Sequence, residues 1–236
     1  MINSGFPKPI VLIENEIKTL EKLKNDPLLS QFHNKLTRDA NSAFSWAQSI
    51  RNSFSFESSF TILLDGKPGT AYIGANIVLK NGDKSYDFVS YYLAICRMNG
   101  AENVVLRKFH FDYAEPDNSH RQPHPVFHLQ QPGKLTRCME AAGHNIENLY
   151  PWLSEPRLPY CPISLALLIN LTFREFPDEK SLKFIERGEW RSLIKKNERI
   201  MLEPYFEECY KFINNRRKGV IRGSSRLLTN DFYYGN

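Results

Sequence analysis

The N-terminal part of the chain is patterned with the period of an α-helix. From Pro9 to about Leu29, apolar side chains recur three or four residues apart with Glu and Lys between them, which is typical of a helix with one apolar face. Asp26-Pro27 interrupts this run, and a second amphipathic run follows over residues 28–50. We predict two helices that form a hairpin or a kinked arm. Their predicted apolar faces contain Ile10, Ile13, Ile17, Leu20 and Leu23, and then Phe32, Leu36, Ala40, Ala43, Phe44 and Ala47.

The pattern then changes to that of extended strands. Four consecutive stretches are rich in Val, Ile, Phe and Tyr, and the turn-forming sequences DGKPG, NGD and NGAEN separate them. Gly and Asn tolerate positive φ and Pro fixes its own φ, so these short separators predict tight turns. The four stretches predict an antiparallel meander, and HPVFHLQ is predicted to add a fifth strand.

After Gly133 the alternation stops. A short helix and loop are predicted up to about Leu153, and four prolines in YPWLSEPRLPYCP then exclude a continuous helix or a central strand. Three helical runs follow Ile163; the second begins at the N-cap candidate Asp178 and ends near Asn197, and the third is expected to break or tilt at Pro204. Tyr205, Phe206 and Tyr210 fall at helical spacing in the third run, and we expect them in the core.

Together these patterns predict an α+β fold with a central antiparallel meander of about five strands between N-terminal helices and a C-terminal helical portion. We expect a single domain over residues 1–236. Its parts are helical (1–52), antiparallel sheet (53–133), mostly helical (134–215) and a basic tail that is extended or poorly ordered (216–236).

Composition narrows the class of protein. A hydrophobic content of 42% with 13% aromatic residues indicates a folded globular chain, and the net charge of +5 permits an anionic partner without requiring one. The four cysteines are widely separated and form no CxxC pair, so we expect reduced, buried thiols instead of a zinc site. No apolar run has the length of a signal peptide or a membrane span. These features predict a cytoplasmic protein with no membrane partner.

The segment RKFHFDYAEPDNSHRQPHPVFHLQQPG, residues 107–133, carries the most chemistry. It contains four of the six histidines within nineteen positions. Successive side chains of a strand point to opposite faces, so Lys108, His110 and Asp112 should lie opposite Phe109, Phe111 and Tyr113. By the same rule His124 and His128 lie opposite Phe127. If the two strands pair, His110, Asp112, His124 and His128 reach a common surface.

Three interpretations of this surface stay open. Two imidazoles and a carboxylate suit general acid–base catalysis, with a cation to stabilise a phosphorane-like charge, as a metal-independent ribonuclease requires. A divalent metal bound by His110, Asp112 and His128 is the second interpretation, although the spacings do not match a helical metal motif. The third is a solvated polar face without chemistry. The acid–base interpretation implies no cofactor.

The residues FHFDY, HPVFHLQQPG and EPRLPYCPISLALLINLTFREF resemble a pattern of uncharacterised bacterial families, in which an HxD pair precedes HPxxHLQ and a PRxPxxP element. Residues 104–133 are also similar to the TumE-like toxins of toxin–antitoxin pairs. That resemblance covers a short part of the chain and implies RNA chemistry. The residues that it and the alternation single out as catalytic candidates are His110, Asp112, His124 and His128.

Three further cations are candidates to stabilise negative charge. These are Lys108, Arg121 in the predicted loop, and Arg157, which stands between prolines and could reach a phosphate or Asp112. Residues 211–226 contain six cations and no acid, which is typical of a segment that follows a phosphate backbone and equally of a solvated tail. These six are Lys211, Arg216, Arg217, Lys218, Arg222 and Arg226.

The sequence therefore supports two classes of function. The first is a small nuclease that acts on RNA within a bacterial toxin or phage-defence system. The second is a non-catalytic subunit of such a system that binds a nucleic acid or a protein partner such as an antitoxin.

Overall fold

A meander of four long strands is the centre of the fold. The structure is a computed structural model, and it describes residues 6–24, 53–80, 85–99, 102–114, 127–130, 144–145 and 158–217. Strands β1 (Ser53–Leu64), β2 (Lys67–Lys80), β3 (Ser85–Asn99) and β4 (Glu102–Ala114) pair antiparallel in chain order. The α+β class and the antiparallel meander predicted from the sequence are thus confirmed.

Three short strands extend this sheet. Strand β5 (Phe127–Gln130) lies antiparallel to β4, and β7 (Leu158–Pro159) lies antiparallel to β5 at the outer edge. Strand β6 (His144–Asn145) instead pairs parallel with β4 at Asn103 and Val104. The sequence predicted a helix and loop here. Because β5 pairs only with residues 110–113, it leaves the start of β4 open to this other partner.

The loop between β1 and β2 shows why the strands turn where the sequence predicted. It consists of Asp65 and Gly66, whose φ angles are 50° and 75°. Two central residues with positive φ are the signature of the tight hairpin turn that matches strand twist, and Asp-Gly is a preferred sequence for it.

Four helices are described. They are α1 (Pro9–Lys24), α2 (Leu165–Glu175), α3 (Glu179–Ile185) and α4 (Gly188–Arg217). The second predicted N-terminal helix, residues 28–50, lies outside the described residues. The side chain of Asp178 accepts a hydrogen bond from Ser181 N at 2.6 Å and caps α3, as the sequence predicted. In α1 the apolar face is shifted, because Ile10 is 56% exposed whereas Leu12 and Leu20 are fully buried.

The C-terminal helices divide at a different place from the predicted one. The sequence suggested a boundary near Asn197 and a break at Pro204, but the chain breaks at Glu186 and Arg187 and α4 then continues through both positions. Asn197 lies within α4, and its side-chain amide donates to Leu193 O at 2.9 Å, one turn earlier. Pro204 has no backbone N–H group and cannot donate the usual helical hydrogen bond, but α4 continues on both sides of it. Of the three aromatic residues expected in the core, Tyr205 packs against it, whereas Phe206 and Tyr210 are exposed.

The helices cover one face of the sheet. The apolar side chains of this face form a single core cluster with residues from all four helices. Phe60 of β1 meets Phe173 of α2 with ring centroids 4.9 Å apart, and Phe127 of β5 meets Tyr205 of α4 at 5.5 Å. Phe6, which precedes α1, stacks on Tyr113 of β4 at 4.8 Å.

A buried polar network joins the helices to the sheet. The carboxyl group of Glu16 on α1 accepts a hydrogen bond from the Tyr91 hydroxyl at 2.7 Å and further bonds from Leu165 N at 3.2 and 3.3 Å. It therefore satisfies a backbone donor at the start of α2, where no intrahelical acceptor exists. Beside it, the Asn197 side-chain oxygen accepts from Ser164 at 2.6 Å and from Asn15 at 2.5 Å.

The thiols match the sequence expectation in part. Cys96 is buried, Cys161 and Cys209 are half-buried, and none of these three forms a disulfide bond; Cys138 lies outside the described residues. Burial raises the pKa of Cys96 to about 12, so this thiol is protonated and unreactive at neutral pH. None of the helices within the described ranges combines the length and apolar character needed to cross a bilayer.

Candidate acid–base site on strand β4

Lys108, His110 and Asp112 lie on the sheet face opposite to the one on which the described helices pack. Phe111 and Tyr113, which alternate with them on β4, are buried in the main core on the opposite face. Cross-strand partners in an antiparallel sheet share a face, and the partners of the three polar residues on β3 are Ala94, Tyr92 and Ser90. The alternation predicted from the sequence therefore places these three polar side chains together.

Strand β5 brings the fourth predicted member to the same rows. His128 is the partner of Asp112, and Gln130 is the partner of His110. The position of the His128 side chain lies outside the described part of the structure, but its register places it on the face of Asp112. A row of Ser90, Asp112 and His128 thus lies beside a row of Tyr92, His110 and Gln130.

This face is less open than a solvated surface. Lys108 is only 3% exposed, and His110 and Asp112 are half-buried. A small apolar cluster of Tyr72, Ala94, Cys96 and Val105 lies on the same face, with Ala94 directly opposite Lys108. For Lys108, this burial does not fit the third interpretation, a solvated polar face.

His110 is held as a neutral imidazole. Burial, and secondarily the positive charge of Lys108, lowers the pKa of His110 from 6.5 to about 4. Its Nε2 atom is buried, and no hydrogen-bonding partner for it is present among the residues that the structure describes. When the neutral ring carries its proton on Nδ1, Nε2 presents a lone pair that can accept a proton.

Tyr92 and Gly74 belong to this site, and sequence reasoning missed both. The rings of Tyr92 and His110 lie with their centroids 6.0 Å apart and an interplanar angle of 35°. Gly74 of β2 is the partner of Tyr92, and a Cβ atom at position 74 would collide with the Tyr92 ring. The missing side chain at Gly74 thus makes room for the phenol ring beside His110.

The other predicted catalytic residues lie outside the described part of the chain. These are His124, Arg121 and Arg157. Arg157 directly precedes β7 in the sequence, and Leu158 of β7 pairs with Leu129 of β5. Its role as a charge stabiliser stays a prediction.

The basic C-terminal segment begins as a helix, not as a tail. Helix α4 continues to Arg217, so Lys211, Arg216 and Arg217 occupy its last two turns, and Lys211 is exposed. Cations are favourable there because they face the negative end of the helix dipole. Lys218, Arg222 and Arg226 lie outside the described residues.

The metal interpretation stays a prediction as well. In the described ranges, no group of three His, Cys, Asp or Glu side chains is arranged to hold a metal ion. The set proposed from the sequence, His110, Asp112 and His128, includes one side chain that those ranges do not cover.

Comparison with known proteins adds no family to this geometry. No protein-family model, no curated protein and no solved structure matches the chain. The resemblance of residues 104–133 to TumE-like toxins stays a prediction from a short segment.

Proposed function

We propose that the chain is a metal-independent ribonuclease of a bacterial toxin or phage-defence system, with its active site on the outer face of β4. The observation that carries the proposal is a neutral, half-buried His110 whose Nε2 has no partner among the described residues and which lies between Lys108 and Asp112. At neutral pH His110 is deprotonated and can accept the proton of a ribose hydroxyl, but with a pKa of about 4 it is a weaker base than a histidine that titrates near the operating pH.

The proposed reaction is an attack of the RNA 2′ oxygen on the neighbouring phosphorus. His110 Nε2 removes the 2′-hydroxyl proton while the new O–P bond forms. The bond from phosphorus to the 5′ oxygen then breaks, and His128 donates a proton to that leaving oxygen. The products are a 2′,3′-cyclic phosphate and a 5′-hydroxyl end, so neither an oxidant nor a metal is needed.

Two further residues support this chemistry. Lys108 lies on the same face, close enough for its charge to lower the pKa of His110, and it would stabilise the negative charge that develops on the phosphoryl oxygens. Asp112 is the register partner of His128 and would orient that imidazole and favour its protonated form.

RNA cleavage in EDTA tests the proposal directly. We expect His110→Ala and His128→Ala each to lower the cleavage rate of a labelled single-stranded RNA by about 100-fold or more, the usual contribution of a general acid or base. His144→Ala is a matched control, because its strand pairs with β4 at Asn103, roughly 20 Å along the strand from His110. Absence of cleavage by the unaltered protein, or equal rates in all three variants, would refute the proposal.

The second candidate is a non-catalytic subunit that binds nucleic acid through its basic end. What favours it is the placement of Lys211, Arg216 and Arg217 on consecutive turns at one end of α4, directly before three more cations in the sequence. Because α4 continues to Arg217, the informative truncation removes residues 218–236 and leaves the helix intact. Salt-dependent RNA binding that this truncation weakens, without turnover by the intact protein, would support this candidate over the first.

A further inference from the structure

Helix α4 presents an amphipathic face to the outside of the molecule. Its inner face contains Trp190, Asn197 and Met201, all buried. On its outer face Leu202 is half-buried, whereas Phe206 and Tyr210 are 58% and 67% exposed. These three side chains are spaced four residues apart and form one ridge along the helix. An exposed ridge of two aromatic rings is a feature of an interaction surface.

A row of charges runs beside this ridge. Lys195, Arg199, Glu203 and Glu207 are also spaced four residues apart, and all four are exposed. The row is basic in its first half and acidic in its second half. The charge row, together with Glu198, Leu202 and Phe206, borders an open groove of about 640 Å³ on the outside of α4.

The order of the charges makes this face complementary to itself. When two such helices lie antiparallel about a two-fold axis at the level of residue 201, Arg199 of each copy meets Glu203 of the other. The same operation brings Lys195 to Glu207, because each pair is equidistant from residue 201. A two-fold axis repeats every contact, so one row produces four opposite-charge pairs. Aligned parallel, the same rows would place like charges together.

We propose that this outer face of α4 is the interface of a homodimer in which two α4 helices pack antiparallel. Both rows with four-residue spacing are ridges on the helix surface. The ridge of Leu202, Phe206 and Tyr210 on one helix fits the groove between the two rows of the other helix. Leu202, Phe206 and Tyr210 of each copy then lose their exposure to water, and the charge rows fix the direction and the register. The proposed active site lies on the outer sheet face, so this inference is independent of the ribonuclease proposal.

Charge reversal tests the interface. The unaltered chain should sediment at twice its 27.5 kDa mass at micromolar concentration, and 1 M NaCl should weaken the dimer. Lys195→Glu/Arg199→Glu makes the whole row acidic, and Glu203→Lys/Glu207→Lys makes it basic. Each double variant should dissociate with a dissociation constant raised by at least about tenfold, because like charges then face each other. Arg174→Glu/Lys180→Glu, which changes two exposed cations on α2 and α3, should leave the dimer unchanged.

Mixing the two double variants makes the test specific. An acidic row should bind a basic row, so the equimolar mixture should form a heterodimer that neither variant forms with itself. The chain that combines all four reversals should again form a homodimer. A specific interface predicts both recoveries, whereas damage to the fold would prevent them. Failure of both recoveries, with the variants folded by circular dichroism, would overturn the proposal.

Phe206→Ala distinguishes a second copy from another occupant of the same face. If a second copy covers the ridge, this variant should weaken the dimer and leave the stability of the dissociated chain unchanged. A monomeric unaltered protein in which Phe206→Ala lowers the free energy of unfolding would instead assign the face to another segment of the same chain. If the unaltered protein is monomeric at all concentrations and instead binds antitoxin or RNA to saturation, the outer face of α4 would be assigned to that different partner. Either of the last two outcomes rejects the homodimer.

Discussion

Glu16 is a fully buried carboxyl group whose protonation is coupled to folding. Burial raises the pKa of Glu16 from 4.5 to about 7, although the hydrogen bonds from Tyr91 and Leu165 N partly oppose this shift. The native state therefore holds the proton more tightly than the unfolded chain between pH 4.5 and 7. Over that range the contribution of Glu16 to stability falls as the pH rises, and above pH 7 it stays constant.

We expect Glu16→Gln to remove this dependence. Relative to the variant, the free energy of unfolding of the unaltered protein should fall by roughly 3 kcal/mol between pH 4.5 and 7, because a shift of one pKa unit corresponds to about 1.4 kcal/mol. Urea unfolding of both proteins at several pH values measures this difference. Glu14→Gln, an exposed position on the same helix, is the control and should follow the unaltered protein. Parallel curves for the unaltered protein and Glu16→Gln would contradict the assigned cause.

His110 should titrate far below an ordinary histidine. In the unaltered protein we expect its ring resonances in NMR spectra to shift with a midpoint of about pH 4. Lys108→Met removes the positive charge and keeps the site buried, so the pKa of His110 should rise but stay below 6.5. A midpoint near 6.5 in the unaltered protein would show that the site is solvated, and the same low midpoint in both proteins would show that the charge of Lys108 does not contribute.

At the residue scale, the sequence predicts the features that depend only on the side-chain alternation of a strand or the periodicity of a helix. The shared face of Lys108, His110 and Asp112 follows from the alternation of a strand and needs no tertiary information. Tyr92 and Gly74 could not be found in this way, because their place beside His110 depends on strand register. That register includes a shift between Ile95 and Cys96. Glu16 did leave a signal, because it occupies the apolar face of α1 between Leu12 and Leu20.

At the element scale, strand β2 depends on the missing side chain of Gly74. Gly74→Ala places a Cβ atom against the Tyr92 ring, which must move, and we expect overpacking to lower the free energy of unfolding by about 1–3 kcal/mol. Gly188→Ala is the matched control, because a Cβ atom there meets nothing within 4 Å. It should be neutral or stabilising by up to about 1 kcal/mol. Thermal and urea unfolding of both variants measure the difference, and equal stabilities would contradict the close packing.

Element boundaries follow the sequence where local chemistry sets them. The helix cap at Asp178 was predictable because a side-chain hydrogen bond defines it. The Asp65-Gly66 turn was predictable because it requires two residues that adopt positive φ. The continuity of α4 was not predictable in this way. It depends on the tertiary contacts of Asn197 with Asn15 and Ser164, which hold a turn-favouring residue within a helix.

At the scale of the whole molecule, the two ends of the described chain contribute to one core. Phe6 and Tyr205 both contact Phe127 on the sheet, with ring centroids 5.3 and 5.5 Å away. We therefore expect a single cooperative unfolding transition, as the predicted single domain requires. Calorimetry should give equal calorimetric and van't Hoff enthalpies. Two separated transitions, one for the helices and one for the sheet, would contradict this expectation.

The fold class was predictable because each segment shows the period of its own element. The sequence could not show that all four described helices contribute to the core on one sheet face, since that arrangement is tertiary. The four described helices pack on one face, and Lys108, His110, Asp112 and Tyr92 lie on the other face beside a small buried apolar cluster.

The pH dependence of RNA cleavage shows whether a neutral His110 acts as the base. We predict that the unaltered protein in EDTA cleaves single-stranded RNA, with a rate that rises through about pH 4 as His110 loses its proton, and that His110→Ala abolishes this rise while His144→Ala retains it. Absence of cleavage at any pH, or an identical profile in His110→Ala, would contradict the account.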